Sequence, residues 1–412
     1  MQKQWLVVCF IAAAAGAAAQ APYDLLLKGG HVIDPRNNRN GVMDVAIAAG
    51  KIAQIAPNIA PSQAKRVIPA AGLYVVPGLV DIHTHVYAGT GRRDVYCGDL
   101  SVYPDGYTFR SGVTTVVDAG TSGWKSFPDF KDRVIDRSKT RILAMLNIVG
   151  TGMCGAVEQD TSDMDPEATA RVARQYPQLI VGVKTAHYQG PEWTAVERAV
   201  RAGQLADIPV MVDFGTFRPE RPYQQLVLEK LRAGDISTHM YLGTVPMLDD
   251  KGKVLPYLFQ ARQRGVKFDV GHGAGSFLWR QAAPAIRQGW IPDSISTDLH
   301  VRSMNGGMKD MTTTMSKILI LGVPFEQVIR MSTINPALEI KRPDLGHLTP
   351  GANADVAVLR LRTGEFGYLD VRNARQAGKQ KIECELTIRD GQVVWDLNGL
   401  AGDDWHKLGA NY

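Results

Sequence analysis

The fold is decided by a stretch of ten residues, Val76-Pro77-Gly78-Leu79-Val80-Asp81-Ile82-His83-Thr84-His85. Its apolar, β-branched run is typical of a buried strand, and it ends in two histidines. Successive side chains of a strand point to opposite faces, so residues i and i+2 point the same way. His83 and His85 therefore present two imidazoles on one side of the strand end. An open, doubly wound sheet would instead show a Gly-rich phosphate loop after its first strand.

Seven further apolar runs follow the first at intervals of about 30 residues, the length of one βα unit. Several intervals carry the apolar spacing of a helix, as in residues 166–175, 192–206 and 221–233. Eight strands with this period predict a (β/α)₈ TIM barrel over residues 77–337, with its active face at the carboxyl ends of the strands. The runs end near His85, Asp118, Asn147, Lys184, Asp213, His239, His272 and Asp298.

Short strands and turns flank the predicted barrel on both sides in the sequence. Apolar alternation with Gly-rich turns marks residues 20–76, and a similar pattern returns in 338–412, where Asp390-Gly391 predicts a hairpin turn. Each segment alone is too small for a good hydrophobic core. Because chain termini often lie close together, we predict one small β-sandwich domain built from both segments. The predicted fold class is thus α/β, a barrel with a split β module.

The composition is that of an ordinary globular protein. The chain has 412 residues, of which 45% are hydrophobic and 21% are charged, and this excludes a disordered or fibrous chain. A net charge of +5 without a Lys/Arg-rich run argues against a nucleic-acid partner. We expect a small-molecule substrate, and the sequence leaves open whether the chain forms a homo-oligomer.

The N-terminal residues 1–19 predict a cleavable signal peptide. One Lys precedes an apolar run and a small-residue cleavage site, and the run is too short to span a membrane. We therefore expect export to the periplasm or the medium, without a stable membrane anchor. Cleavage leaves Cys97, Cys154 and Cys384, which allow one disulfide at most and fit no cysteine-based zinc site.

Side chains able to bind a metal follow several of the predicted strands. Neutral imidazole is the commonest protein ligand of Zn²⁺, which makes His83 and His85 candidate ligands. Asp298 ends the eighth run, beside the first strand of a closed barrel, and either joins the same metal or caps the following helix. Lys184 follows a buried strand. It either extends its amine to solvent or reacts with CO₂ to give a carbamate that can bridge two cations.

Several stretches together resemble the amidohydrolase superfamily, and most closely its amidohydrolase/deacetylase metallohydrolases, which are similar to dihydroorotase. The first is the stretch 76–85 quoted above. The resemblance covers nearly the whole chain and implies the same barrel and split β module. The other stretches are Gly182-Val183-Lys184, Thr238-His239, Gly271-His272-Gly273-Ala274-Gly275-Ser276-Phe277, Ser296-Thr297-Asp298-Leu299-His300, Asn335-Pro336-Ala337 and Gly351-Ala352-Asn353-Ala354-Asp355.

The resemblance implies a site with two divalent metal ions, usually Zn²⁺. His83, His85 and Asp298 would bind one ion, His239 would bind the other, and carbamylated Lys184 would bridge them. Family members usually carry His at the end of strand five, where this chain has Asp213. Aspartate can bind zinc through oxygen, so Asp213 stays a predicted ligand, although a carboxylate also favours harder ions such as Mn²⁺. A mononuclear site is the alternative.

Hydrolysis of an amide or ester bond follows from this ligand set. A bound metal lowers the pKa of a water to give hydroxide near neutral pH, and the hydroxide attacks an acyl carbonyl. Asp298 would accept the proton and return it to the leaving group. The loop 86–101, which contains Tyr96 and Cys97, is a predicted lid. The residues expected to contact substrate or support the ligands are His187, His272, His300 and Arg302.

Two other classes of function remain open from the sequence. A catalytically silent barrel would bind a ligand or a partner, and Asp213 is the feature that favours it. Five ligand-type residues at four separate strand ends argue against a catalytically silent barrel, because they serve no packing purpose. An isomerase or lyase would use the same metal frame, and product analysis separates it from a hydrolase.

Overall fold

The computed structural model describes residues 21–213 and 217–409, so the predicted signal peptide lies outside the described residues. None of the described helices is long and apolar enough to cross a membrane. The strands, in chain order, are β1 (Tyr23–Asp34), β2 (Arg39–Ala48), β3 (Lys51–Ala56), β4 (Ala64–Pro69), β5 (Tyr74–Pro77), β6 (Leu79–Thr84), β7 (Val113–Gly123), β8 (Arg141–Asn147), β9 (Ile180–Thr185), β10 (Val210–Val212), β11 (Ile236–Ser237), β12 (Lys267–Phe268), β13 (Val356–Leu369), β14 (Arg375–Arg389) and β15 (Gln392–Asp396).

Five of the ten described helices lie between consecutive strands from β7 to β12, as expected for βα units. A π-helical turn, Leu226–Lys230, continues the short helix α4. The helices are α1 (Phe127–Arg133), α2 (Pro166–Gln175), α3 (Thr194–Ala206), α4 (Tyr223–Gln225), α5 (Pro256–Gln263), α6 (Trp279–Arg287), α7 (Val301–Met304), α8 (Met311–Leu319), α9 (Phe325–Met331) and α10 (Ile334–Glu339).

A curled parallel sheet of seven strands runs from β6 to β12, and each strand pairs with the next one in the chain. The segment 294–299 contacts both edges of this sheet. One isolated parallel bridge joins Asp269 to Ser294, and another joins Thr84 to Leu299. The predicted eighth strand is therefore present as isolated bridges rather than as a regular ladder.

The two terminal segments share one mixed sheet of eight strands, separate from the parallel sheet. Its strand order is β15-β14-β13-β5-β1-β2-β3, with β4 paired to β1. Antiparallel pairing of β5 with β13 joins the N-terminal half to the C-terminal half. The prediction of a separate β domain built from both chain ends is confirmed, whereas its sandwich arrangement and its boundaries stay predictions. Side chains from both halves share its core, among them Leu27, Val45, Val75, Val356 and Ile388.

Besides the eighth strand, the elements differ from the sequence predictions in two places. The helix predicted over 221–233 is broken into α4 and the π-helical turn. Within 338–412, where the sequence predicts short strands, the structure has one long hairpin, β13 and β14. Its outer arms are half-exposed and charged, so they lack the apolar alternation that marks a strand. The helix predicted over 166–175 is confirmed as α2.

Candidate metal centre and active site

The carboxyl ends of the parallel strands bring the predicted ligands into one buried group. Lys184 Nζ lies 3.0 Å from His83 Nε2, and His85 Nε2 lies 3.0 Å from Asp298 Oδ1. Ligand atoms of His83, His239 and Asp298 all lie within 4.8 Å of one another, the spacing of a metal-binding group. These residues are separated by up to 215 positions in the chain, so the sheet alone assembles them.

The imidazoles of His83 and His239 are held so that Nε2 faces the group. Thr238 Oγ1 donates its proton to Asp269 Oδ2 at 2.7 Å, so it accepts from His83 Nδ1 at 2.9 Å. His239 Nδ1 lies 2.6 Å from the carbonyl oxygen of Gly271, which can only accept. Both rings therefore carry a proton on Nδ1, so the neutral form of each ring presents the Nε2 lone pair inward, as a metal ligand requires.

The buried carboxylate of Asp298 lacks a donor on one oxygen. His85 Nδ1 is held by Thr121 Oγ1 at 2.8 Å, which turns Nε2 toward Asp298 Oδ1. Yet Oδ1 has no hydrogen-bond donor among the described residues. Buried polar atoms are nearly always satisfied, so an oxygen left open beside imidazole lone pairs fits a divalent cation. The donor set of imidazole nitrogens and carboxylate oxygens is the set that zinc prefers.

Asp298 is ionised although it is buried. Burial favours its neutral form, but the facing imidazoles of His300 and His85 outweigh burial and lower the pKa of Asp298 to about 2. The alternative in which Asp298 caps the next helix is wrong. His300 is the N-cap of α7, because its Nδ1 accepts from Arg302 N at 3.2 Å.

The Lys184 side chain is fully buried, so the prediction that its amine extends to solvent is wrong. Burial lowers the pKa of the Lys184 amine, although the negative charges of Asp213 and Asp298 act to raise it. The amine contacts His83 Nε2 and, at 3.6 Å, Met211 Sδ. A buried amine with a lowered pKa is the form that reacts with CO₂, so this environment fits carbamylation.

Asp213 lies between two imidazoles at the end of β10. Its Oδ2 is 3.4 Å from His239 Nε2 and 3.6 Å from His187 Nε2. His187 is held on its other side by Glu158, whose Oε2 lies 2.8 Å from Nδ1. Burial lowers the pKa of His187, but Glu158 and Asp213 outweigh burial and raise it to about 9. His187 is therefore a cation beside the predicted ligand Asp213.

His272 lies behind the group rather than in it. Its Nδ1 contacts the Gly273 carbonyl oxygen at 2.9 Å, and its Nε2 contacts Lys317 Nζ at 2.6 Å. The ring stacks on Phe277 with centroids 4.7 Å apart. Both nitrogens of His272 are thus engaged by the protein, which fits a supporting role better than a contact with substrate.

His300 and Arg302 stand at the start of α7. His300 is buried, and burial lowers its pKa to about 4. Its Nε2 lies 3.9 Å from Asp298 Oδ2, so a neutral imidazole faces the carboxylate. Arg302 is exposed beside it, at the active face but outside the buried group.

Three residues of the site have backbone angles that side chains rarely adopt. The φ values are +59° for His187, +59° for His239 and +50° for Asp298. Such conformations cost free energy and concentrate at functional sites. These three backbone conformations therefore lower the stability of the fold, and they set the directions in which the three side chains point.

Residues that support the ligands were not predicted from the sequence. Thr and Asp side chains hold the imidazoles, and no periodicity distinguishes them from packing residues. Lys317 is fully buried and donates to the carbonyl oxygens of Gly307 and Leu369. The sequence signal that could have identified Lys317 is its position directly before Ile318 and Leu319 in helix α8. The unpredicted residues are Thr121, Glu158, Thr238, Asp269, Gly273 and Lys317.

Comparison with known proteins assigns the class. The amidohydrolase family profile matches residues 257–395. The chain is 35% identical over 360 residues to a deacetylase of Agrobacterium fabrum, covering 84% of each chain. It is 30% identical over 381 residues to a deacetylase of Enterococcus faecalis, covering 90% of this chain and 99% of the relative.

Two solved structures share the whole fold. A crystal structure of an adenine deaminase superposes with a TM-score of 0.82 at 30% identity, covering 91% of this chain and all of the other. A crystal structure of a dihydroorotase gives 0.76 at 29% identity, covering 90% and 99%. Fold and site together define a metal-dependent hydrolase of C–N bonds. The chain belongs to the amidohydrolase family.

Proposed function

We propose that this protein is an exported, metal-dependent deacylase that hydrolyses the amide or ester bond of a small N-acyl or O-acyl substrate. The observation that carries the proposal is the ring of inward-facing Nε2 atoms around the open Asp298 Oδ1. The two relatives named deacetylase, similar over most of their length, support removal of an acyl group.

Two divalent ions, Zn²⁺ by preference with Mn²⁺ as the alternative, fit the donors. His83, His85 and Asp298 would hold one ion, Asp213 and His239 the other, with carbamylated Lys184 between them. When bound, such ions supply Lewis acidity and lower the pKa of a coordinated water. The inward Nε2 atoms, the buried amine and the open Oδ1 support this assignment.

The two carboxylate oxygens of Asp298 face different groups, and we propose a different role for each. Oδ1 faces His85 and His83, whereas Oδ2 lies toward His300 and Gly273. We propose that Oδ2 accepts the proton of the attacking water and donates it to the leaving nitrogen or oxygen. Its pKa of about 2 keeps the carboxylate ionised at neutral pH, which is the form able to accept a proton.

We further propose that segment 294–299 closes the parallel sheet into a barrel, because it bridges both edges. Export is supported by the disulfide between Cys97 and Cys154, since such bonds persist in oxidising compartments. A small-molecule substrate without nucleic acid or a membrane anchor, and domain boundaries near 77 and 337, complete the proposal.

The test combines metal content with turnover. Mature protein purified without added metal should contain up to two divalent ions per chain, as measured by inductively coupled plasma mass spectrometry. It should release the acid from N-acetyl amino acids or acetyl esters. Asp298→Asn should keep the fold by circular dichroism and lose about 10²-fold or more in kcat. Asp250→Asn, on an exposed loop, is the control.

Other outcomes separate the alternatives. Retained turnover in Asp298→Asn would refute the proton transfer. Absence of metal after supply of Zn²⁺ and bicarbonate would favour the silent binding barrel. Adenine and dihydroorotate belong in the panel, because the two structural neighbours are named for reactions of those rings. Products formed without the addition of water to the substrate would indicate an isomerase or a lyase.

A further inference from the structure

Three loops of the active face are tied together on one side of the site. The Cys97–Cys154 disulfide joins the loop after β6 to the loop after β8. The loop after β8 also carries Glu158, which holds His187 in the loop after β9. Tyr96, next to Cys97, packs on the His187 ring, with the ring centroids 5.8 Å apart and the planes at 25°. This contact links the loop after β6 directly to the loop after β9, so each of the three loops contacts the other two. We call Tyr96, Cys97, Cys154, Glu158 and His187 the rim.

The Tyr96 ring contacts two further imidazoles of the site. Its centroid lies 4.5 Å from that of His85, a proposed metal ligand. It lies 5.2 Å from that of His300, with the planes at 82°, an edge-to-face contact. One aromatic ring therefore touches imidazoles from three separate segments, and His300, only 2% exposed, lies under it.

The backbone around Tyr96 is anchored on both sides. Ser101 Oγ donates to the Tyr96 carbonyl oxygen at 2.6 Å. Cys97 N donates to Met153 O at 3.0 Å, beside the disulfide to Cys154. Without the disulfide, only hydrogen bonds and side-chain packing would hold together two loops that are far apart in sequence. Positioning of this kind matters, because small displacements in an active site cost large factors in rate.

We propose that Tyr96 is a positioning residue whose ring holds His85, His187 and His300, and that the Cys97–Cys154 disulfide keeps it in place. The inference rests on the proposed function and adds that the oxidised protein is the competent form. The ring carries this role rather than the hydroxyl, because the contacts with the three imidazoles are made by the ring.

Reduction of the metal-loaded protein tests the disulfide. Tris(2-carboxyethyl)phosphine converts the bond to two thiols and becomes a phosphine oxide with oxygen from water. We expect kcat/KM on N-acetyl amino acids to fall about tenfold or more, while metal content stays unchanged. Diethyl pyrocarbonate should then modify His300 faster, as read by peptide mass spectrometry. Cys97→Ser/Cys154→Ser should reproduce both effects, and Cys384→Ala, outside the disulfide, should behave as wild type.

Variants of Tyr96 test the ring. Tyr96→Phe should keep wild-type kcat/KM and protection of His300, whereas Tyr96→Ala should lose both and still bind metal. Unchanged protection of His300 after reduction, or Tyr96→Phe as impaired as Tyr96→Ala, would overturn the inference. If the oxidised wild type hydrolyses no substrate, the proposed function fails on its own, because protection of His300 still reports on the rim.

Discussion

Asp298 shows how one residue acquires its chemistry from its neighbours. Its carboxylate is buried, yet the surrounding imidazoles hold its pKa near 2, and its Oδ1 has no donor among the described residues. The backbone is left-handed at this residue, with φ at +50°. Asp298, to which we assign proton transfer, therefore combines a negative charge, an oxygen without a donor and a backbone angle that costs free energy.

Gly273 allows the backbone to approach Asp298. An added Cβ would lie 2.3 Å from Asp298 Oδ2, and φ is +55°. We predict that Gly273→Ala displaces the carboxylate and lowers both bound metal and kcat, which titration with Zn²⁺ and steady-state kinetics would measure. Gly275→Ala is the matched control, since its Cβ would meet nothing within 4 Å. Equal activity of the two variants would contradict the account.

Lys184 is predicted to bridge the ions through its carbamate. Lys184→Ala should therefore lose metal and activity, and short carboxylic acids such as acetate should restore part of both. Plasma mass spectrometry with and without the acid measures this. Lys251→Met, which removes an exposed lysine far from the site in the sequence, should keep its metal. A Lys184→Ala protein that retains both ions without added acid would count against the carbamate.

At the scale of elements, the long hairpin of β13 and β14 links the terminal sheet to the parallel-sheet region. Trp279 Nε1 in α6 donates to Tyr368 O and Ala374 O, and Lys317 donates to Leu369 O. Lys317 also contacts His272. The hairpin thus helps to hold the histidine that lies behind Asp298.

Asp370 organises the tip of this hairpin. Its Oδ1 accepts from Arg372 N and Ala374 N, and its Oδ2 from Trp279 N. Asp370→Ala leaves these donors without their partner, so the free energy of unfolding should fall by about 2–3 kcal/mol. Urea denaturation measures it. Glu365→Ala, an exposed residue on the same hairpin, should leave the midpoint unchanged, and an equal loss would refute the role of Asp370.

Over the whole molecule, two titratable groups, Lys317 and His187, make the free energy of unfolding depend on pH in opposite senses. Burial lowers the pKa of Lys317 to about 7, so above pH 7 the unfolded chain binds more protons and stability rises with pH. The pKa of His187 is raised to about 9, because Glu158 and Asp213 outweigh its burial. Its contribution is complete below about pH 6.5 and is lost as pH rises through 9.

The Lys317 contribution can be isolated by comparison. Between pH 7 and 9 the wild type should gain about 1–2 kcal/mol of unfolding free energy relative to Lys317→Met, as linkage allows at most about 1.4 kcal/mol per pH unit. Urea titrations at both values measure the difference. Lys251→Met, on the surface, is the control. If the unfolding free energy of the wild type fell relative to that of Lys317→Met toward pH 9, the predicted direction of the pH dependence would be wrong.

Much of this molecule follows from local sequence patterns. The 30-residue rhythm, the apolar runs and the His-Thr-His strand end predict a parallel α/β sheet with ligands at its carboxyl edge. They do so because side-chain alternation and strand direction are properties of consecutive residues. Helix α2 and the terminal sheet domain were predicted in the same way, and the family resemblance supplied the ligand set.

Other features were decided only by the tertiary structure. The partner of His83 Nδ1 lies 155 residues away, the rim joins three loops, and the open Oδ1 of Asp298 exists only where distant strand ends meet. The charged hairpin arms likewise become strands only by pairing with each other. No periodicity encodes such contacts, because they depend on distance in space rather than on order along the chain.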